Sequence, residues 1–272
     1  MTPEAIAFLD SGVGGLPYLA HARRLLPGRR LVYVADRENF PYGEKDRAAI
    51  VAAALSVAGR LIQRERPGLV VVACNTMSVV ALQELRAQFA VPFVGVVPAV
   101  KPAASLSKRK RVGVLATRQT VEGEYLRNLI VQHASGCDVV SLSSSALVEF
   151  VEMRLYLASP RERKERVREE VDRFLAERID ALVLGCTHFL HLETEFRRFL
   201  DAEGITLVDS RDGVTRQAVR KLKERVPIPA SFRPPLESAR DSDSLYVTGP
   251  LPLEERYQWF ARQFGLQLRG GL

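Results

Sequence analysis

The sequence predicts an α/β fold made of two related domains, each built on a parallel sheet. Three observations carry that expectation. Short apolar segments alternate with amphipathic ones from end to end, which implies parallel strands covered by helices. Several of the apolar segments, such as Leu69-Val70-Val71-Val72-Ala73, are continuous rather than alternating, as strands buried on both faces require. The second half of the chain also repeats features of the first.

Strands are expected at 5–9, 31–35, 69–73, 93–97, 112–116, 138–142, 181–185, 205–208 and 244–248. The clearest helices between them are 45–65, 76–88, 119–132, 160–177, 190–202 and 212–225. The repeat pairs Ala5–Ser11 (AIAFLDS) with Val112–Arg118 (VGVLATR), and Val70–Thr76 (VVVACNT) with Leu182–His188 (LVLGCTH). The spacing is alike, 64 residues from Asp10 to Cys74 and 69 from Thr117 to Cys186. A first domain of 1–97 plus 209–272 and a second of 98–208 are therefore expected, with Pro98–Arg111 as the crossover and the active site in the cleft between them. The segment after Asp209 is too short for a third domain, so a last helix at 253–264 is expected to return to the first.

Composition excludes several functions. Hydrophobic residues make up 47% of the 272 and charged residues 26%, the balance of a soluble globular protein. No apolar run approaches the roughly 18 residues that cross a bilayer. Met1-Thr2-Pro3-Glu4 leads straight into a strand, without the basic region and cleavage site of a signal peptide. A cytoplasmic location with no membrane partner is expected. The net charge is +7 and the pI about 9.5, yet only Lys108-Arg109-Lys110-Arg111 forms a dense basic run. Elsewhere Arg alternates with Glu, and no reading motif accompanies the charge, which disfavours nucleic acid as a partner. Three cysteines without a CxxC pair make neither a disulfide framework nor a zinc site, and no metal is expected.

Ligands of parallel α/β sheets bind beyond the carboxyl ends of the strands, and the polar motifs of this chain fall there. Asp10-Ser11-Gly12-Val13-Gly14-Gly15 follows the first strand and opens a helix. Its glycines allow close backbone approach, but it has neither the Lys-Ser/Thr ending of a P-loop nor a GxGxxG spacing, so a carboxylate suits it as well as a phosphate. Cys74-Asn75-Thr76 and Cys186-Thr187-His188 each end a strand ahead of a helix, whose positive end favours a thiolate. Either cysteine alone reads equally as a small core hydrophobe. Their equivalent places in the two repeats favour a shared chemical role. Cys137, between Gly136 and a strand, has no polar neighbours to give it one. Two equivalent thiols suit inversion of a stereocentre, one removing a proton from one face while the other returns a proton to the opposite face. The carbanion-like transition state then needs preorganised donors and excluded water.

Taken together, Phe8–Gly15, Phe40-Pro41-Tyr42-Gly43-Glu44-Lys45, Ala73–Thr76, Thr117 with Thr120-Val121, Gly185–His188 and Asp209-Ser210 give a chain that resembles the bacterial glutamate racemases of the aspartate/glutamate racemase superfamily over essentially its whole length. The resemblance implies a racemase that needs no cofactor, acting on L- and D-glutamate and supplying D-glutamate for peptidoglycan. It implies Cys74 and Cys186 as the acid–base pair, Asp10 assisting Cys74, and Glu152 and His188 assisting Cys186. Ser11, Pro41, Tyr42, Gly43, Asn75, Thr76, Thr117, Thr120 and Thr187, with Asp10, would contact the substrate. The stretch Ser143–Glu152 lacks the family's proline, and Glu149 competes with Glu152. Arg37-Glu38-Asn39 and His191 also depart from the pattern. A homodimer is compatible with the sequence, and some family members are said to act on DNA gyrase, which no residue here supports.

Rival chemistries fit less well. An aspartate racemase would use the same two thiols. A pyridoxal-phosphate enzyme needs a lysine in a strand-end motif, and none stands out. A cysteine hydrolase would leave the second equivalent cysteine unexplained. A binding or regulatory protein on a retired racemase fold would not need both thiols.

Overall fold

The computed structural model describes residues 5–225 and 243–272, so the opening Met1–Glu4 lies outside the described residues. The protein divides into two compact units, Met1–Val96 with Arg211–Leu272, and Val97–Ser210. In chain order the elements begin β1 (Ile6–Asp10), α1 (Leu16–Leu25), β2 (Leu31–Ala35), α2 (Arg47–Glu65), β3 (Leu69–Val72), α3 (Asn75–Gln88), β4 (Phe93–Gly95) and α4 (Val100–Leu106). They continue β5 (Arg111–Ala116), α5 (Arg118–Glu122), α6 (Glu124–His133), β6 (Asp138–Ser143), α7 (Ser145–Met153), α8 (Pro160–Leu175), β7 (Ala181–Leu184), α9 (Glu193–Ala202) and β8 (Thr206–Val208). The last are α10 (Arg211–Arg225), β9 (Ser244–Val247), α11 (Glu255–Phe264) and β10 (Gln267–Gly271).

The first unit holds a six-stranded sheet in the order β10-β9-β2-β1-β3-β4, and the second a four-stranded sheet in the order β6-β5-β7-β8. Every pairing is parallel. The four strands β2-β1-β3-β4 thus have the same order as β6-β5-β7-β8. The central strands β1, β2, β3 and β7 are buried along their whole length, which is why their sequences are continuously apolar. On one face of the first sheet Ala7, Leu9, Val32, Val34, Val70 and Val72 pack with Ile50, Val57 and Leu61 of α2 and Met77, Ala81 and Leu85 of α3. Each fully buried aliphatic side chain of this kind contributes about 1.5–3 kcal/mol. Among the described residues no helix is long and apolar enough to cross a membrane.

The register corrects the alignment of the two repeats by one residue. Leu9 pairs with Val72, and Leu115 pairs with Leu184, in each case two residues before the cysteine. Asp10 therefore corresponds to Ala116, and Ser11, not Asp10, corresponds to Thr117. The loop hydrogen bonds agree, since Ala73 N donates to Leu9 O and Gly185 N to Leu115 O, both at 2.7 Å.

Other expectations change too. The crossover stretch 98–111 contains α4, whose Pro102 sits in the first turn, where no intrahelical N–H is needed. Its Val100, Ala103 and Ala104 are buried in the second unit. The helix expected at 119–132 breaks at Gly123, which is extended and caps α6. The helix expected at 190–202 starts as a short 3-10 turn, Thr187–Leu192, before α9. The helix that the Asp10–Gly15 motif opens is α1, whereas the helix α7 and the edge strand β10 are not among the expected elements.

Candidate functional site

In the first unit the polar residues gather at the carboxyl ends of β1, β2 and β3. Asp10 is fully buried. Its Oδ2 accepts from Gly15 N at 2.5 Å and Tyr33 Oη at 2.8 Å, and its Oδ1 from Ser11 N at 2.7 Å. Ser11 Oγ lies 3.4 Å from that Oδ1 and 3.6 Å from Cys74 Sγ, giving a polar path from thiol to carboxylate. Cys74 is itself the N-cap of α3, and its sulfur accepts from Met77 N at 3.4 Å. An anionic sulfur there faces the positive end of a helix about four turns long.

Asn75 and Thr76, the first residues of α3, are buried beside it. Both polar atoms of the Asn75 amide are without a hydrogen-bond partner among the described residues. A buried polar group left unsatisfied costs about 1–3 kcal/mol, so such a group points to a ligand. Tyr42 is buried in the 3-10 turn Tyr42–Glu44, with half-buried Pro41 and Gly43 on either side. Its hydroxyl donates to Asp36 Oδ2 at 2.6 Å. Burial first, and then the charge and hydrogen bond of Asp36, push this phenol far above its ordinary value, so it stays a neutral donor.

In the second unit Cys186 also ends a central strand, two residues past β7, and is buried. Its local backbone differs from that of Cys74. The chain enters a six-residue 3-10 turn instead of an α-helix, and the Cys186 side chain caps nothing. A buried histidine stands in that place. His188 Nδ1 lies 3.8 Å from Cys186 Sγ, and His188 Nε2 lies 3.0 Å from Glu152 Oε2 on α7. Burial works against a charged ring, but the hydrogen bonds to Cys186 and Glu152 outweigh it and hold His188 well above its ordinary value. Glu152 is 1% exposed, whereas Glu149, on the same helix, is exposed. Of these two carboxylates, Glu152 is the one beside the histidine.

Thr117 is the N-cap of α5, with its Oγ1 accepting from Thr120 N at 3.3 Å and donating to Thr120 Oγ1 at 3.0 Å. Both threonines and Thr187 are buried at the strand ends of this unit. The structure thus brings Asp10, Ser11, Tyr42, Cys74, Asn75 and Thr76 together in one unit, and Thr117, Thr120, Glu152, Cys186, Thr187 and His188 lie at the equivalent end of the other. Cys137 lies apart, its sulfur 4.0 Å from Ala104 O.

Two buried residues behind the first group escaped the sequence reading. Tyr33 braces Asp10 from within β2, and nothing distinguishes it in an apolar run. Asp36 immediately follows β2, and the strand-end rule that picked out Asp10 applies to it equally.

Residues 18–218 match the family model described as Asp/Glu/Hydantoin racemase. Glutamate racemase of Treponema pallidum (strain Nichols) is 42% identical over 269 residues, covering 98% of this chain and 96% of that protein. Glutamate racemase of Shewanella sp. (strain MR-4) is 40% identical over 221 residues, covering 81% of this chain and 80% of that one. Among solved structures, Escherichia coli glutamate racemase in complex with L-glutamate and the activator UDP-MurNAc-ala is similar with a TM-score of 0.87 at 34% identity, covering 99% of this chain and 98% of that chain. The chain belongs to the Asp/Glu/hydantoin racemase family. Its activity is accordingly that of an isomerase, an amino-acid racemase.

Proposed function

We propose that the chain interconverts L- and D-glutamate without a cofactor, Cys74 and Cys186 exchanging the α-proton, and that it supplies D-glutamate for peptidoglycan synthesis in the cytoplasm. The observation that carries the mechanism is the matched position of the two thiols. Each is buried two residues past a central strand, at the same register relative to its neighbour. The similarity to glutamate racemases of Treponema pallidum, Shewanella and Escherichia coli supports the choice of substrate.

One thiolate removes the α-proton while the other group, as thiol, returns a proton to the opposite face, and the roles exchange with direction. Cys74 draws on the Met77 N–H and on Ser11 backed by Asp10. Cys186 draws on His188, whose other ring nitrogen is held by Glu152. The Asn75 amide and the hydroxyls of Thr76, Thr117, Thr120 and Thr187 are suited to hold the substrate carboxylate and ammonium groups. Such fixed donors stabilise the charge that develops as the α-carbon loses its proton.

The test is optical. L-Glutamate incubated with the protein alone should lose its optical activity, and D-glutamate should do the same. Turnover of aspartate without glutamate would overturn the substrate, and no turnover of either would overturn the reading.

A further inference from the structure

The stretch Arg37-Glu38-Asn39, between β2 and Tyr42, is tied to a part of the same unit more than 200 residues away in sequence. The Arg37 guanidinium makes three directed contacts. Its Nε donates to Thr248 O at 3.1 Å, its Nη1 to Glu254 Oε2 at 2.6 Å, and its Nη2 to Pro250 O. All three nitrogens thus face the segment between β9 and α11. The fit is close on the other side as well. Gly249 has φ +89, a conformation that favours glycine, and a Cβ there would lie 2.9 Å from Arg37 Nη2, so a side chain at this position would be strained and would displace the guanidinium.

The same segment grips the neighbours of Arg37. Thr248 Oγ1 donates to Asp36 Oδ1 at 2.6 Å and accepts from Glu38 N at 3.1 Å. Asp36 accepts in turn from Asn39 Nδ2 at 3.0 Å and from the Tyr42 hydroxyl. An unbroken set of hydrogen bonds therefore runs from 248–254 through Asp36 to Tyr42. A planar five-donor fork suits a task of this kind, since one side chain can hold two carbonyls and a carboxylate at fixed angles.

We propose that Arg37 is a positioning residue, which straps the Pro41-Tyr42-Gly43 turn to the segment 248–254 and so sets the affinity of the site for its amino-acid substrate. The inference rests on the glutamate racemase reading under Proposed function. Arg37 touches none of the acid–base groups, so its loss acts on how the substrate is held and not on the proton transfer itself.

The experiment compares KM and kcat for L-glutamate in wild type, Arg37→Ala, Glu254→Gln and the double variant. Arg37→Ala should raise KM about tenfold and change kcat less than about twofold. Glu254→Gln alters one end of the strap on a side chain 45% exposed and leaves the packing intact. It should raise KM about threefold, an increment that disappears when Arg37 is already Ala. Arg37→Lys, with charge but no fork, should recover less than half of the loss on a logarithmic scale. An unchanged KM in both single variants, or a fall in kcat at constant KM, would overturn the inference while leaving the racemase reading in place. Absence of glutamate turnover in wild type would overturn both.

Discussion

Glu152 Oε2 lies 3.0 Å from His188 Nε2, with both side chains buried. A histidine held above its ordinary value stabilises the fold fully at pH below that value, about 6.5, and the contribution is lost as pH rises through the raised one. Stability carried by this histidine, through its contacts with Cys186 and Glu152, should therefore decline on the alkaline side. Urea midpoints measured from about pH 6 to 9 should fall with pH in wild type, and Glu152→Gln should flatten that slope. Parallel curves for the two proteins would contradict the assignment. Glu149→Gln, at an exposed position, should leave the slope unchanged.

Asn75 gives a prediction in which stability and activity move apart. Its amide has no partner among the described residues, so Asn75→Ala removes an unsatisfied buried group and places a better helix former at the start of α3. The unfolding free energy should stay the same or rise by up to about 2 kcal/mol. KM for glutamate should rise about tenfold, as for a lost hydrogen bond of about 1.4 kcal/mol. Loss of stability with unchanged KM would assign the side chain to the fold instead.

Gly15 allows the turn after β1 to pass against β3. An added Cβ would crowd the Ala73 side chain and lie 2.8 Å from Ala73 O, and the Gly15 N–H holds Asp10. Backbone cannot yield as a flexible side chain does, so Gly15→Ala should cost about 1–3 kcal/mol of stability. Thermal unfolding with isothermal urea titration measures it, and a neutral effect would mean that the turn has room to shift.

Cys74→Ser and Cys186→Ser should each lower kcat by about 10²–10⁴-fold, the usual worth of a positioned acid–base group. Cys137→Ser should lower it by less than about twofold, since that cysteine belongs to neither group of site residues. Full activity in either of the first two variants would sink the paired assignment.

Much of this was legible because burial leaves a plain signature. Val70, Val71 and Val72 read as a β-branched strand covered on both faces, as β3 is, and the shared CNT/CTH endings expose the repeat. The misses have physical causes. Pro102 reads as a breaker until it is seen in a first turn. Cys186-Thr187-His188 looks like a helix start, yet the chain makes a 3-10 turn there, and the His188 ring rather than a helix end lies beside the sulfur. Glu152 and Glu149 stand three positions apart on one helix, and only tertiary packing decides which faces inward. Tyr33 matters through Asp10 and Asp36 partly through Thr248, partners distant in sequence that a linear reading does not bring together.

In the proposed mechanism two different groups handle the proton on opposite faces of the α-carbon. Racemisation of L-glutamate in deuterium oxide, stopped early in the reaction, distinguishes this from a single shuttling group. The D-glutamate formed should carry solvent deuterium at the α-carbon while the remaining L-glutamate is still largely protiated. D-Glutamate that retains the original α-proton would mean that one group carries it from face to face, and would overturn the two-group mechanism.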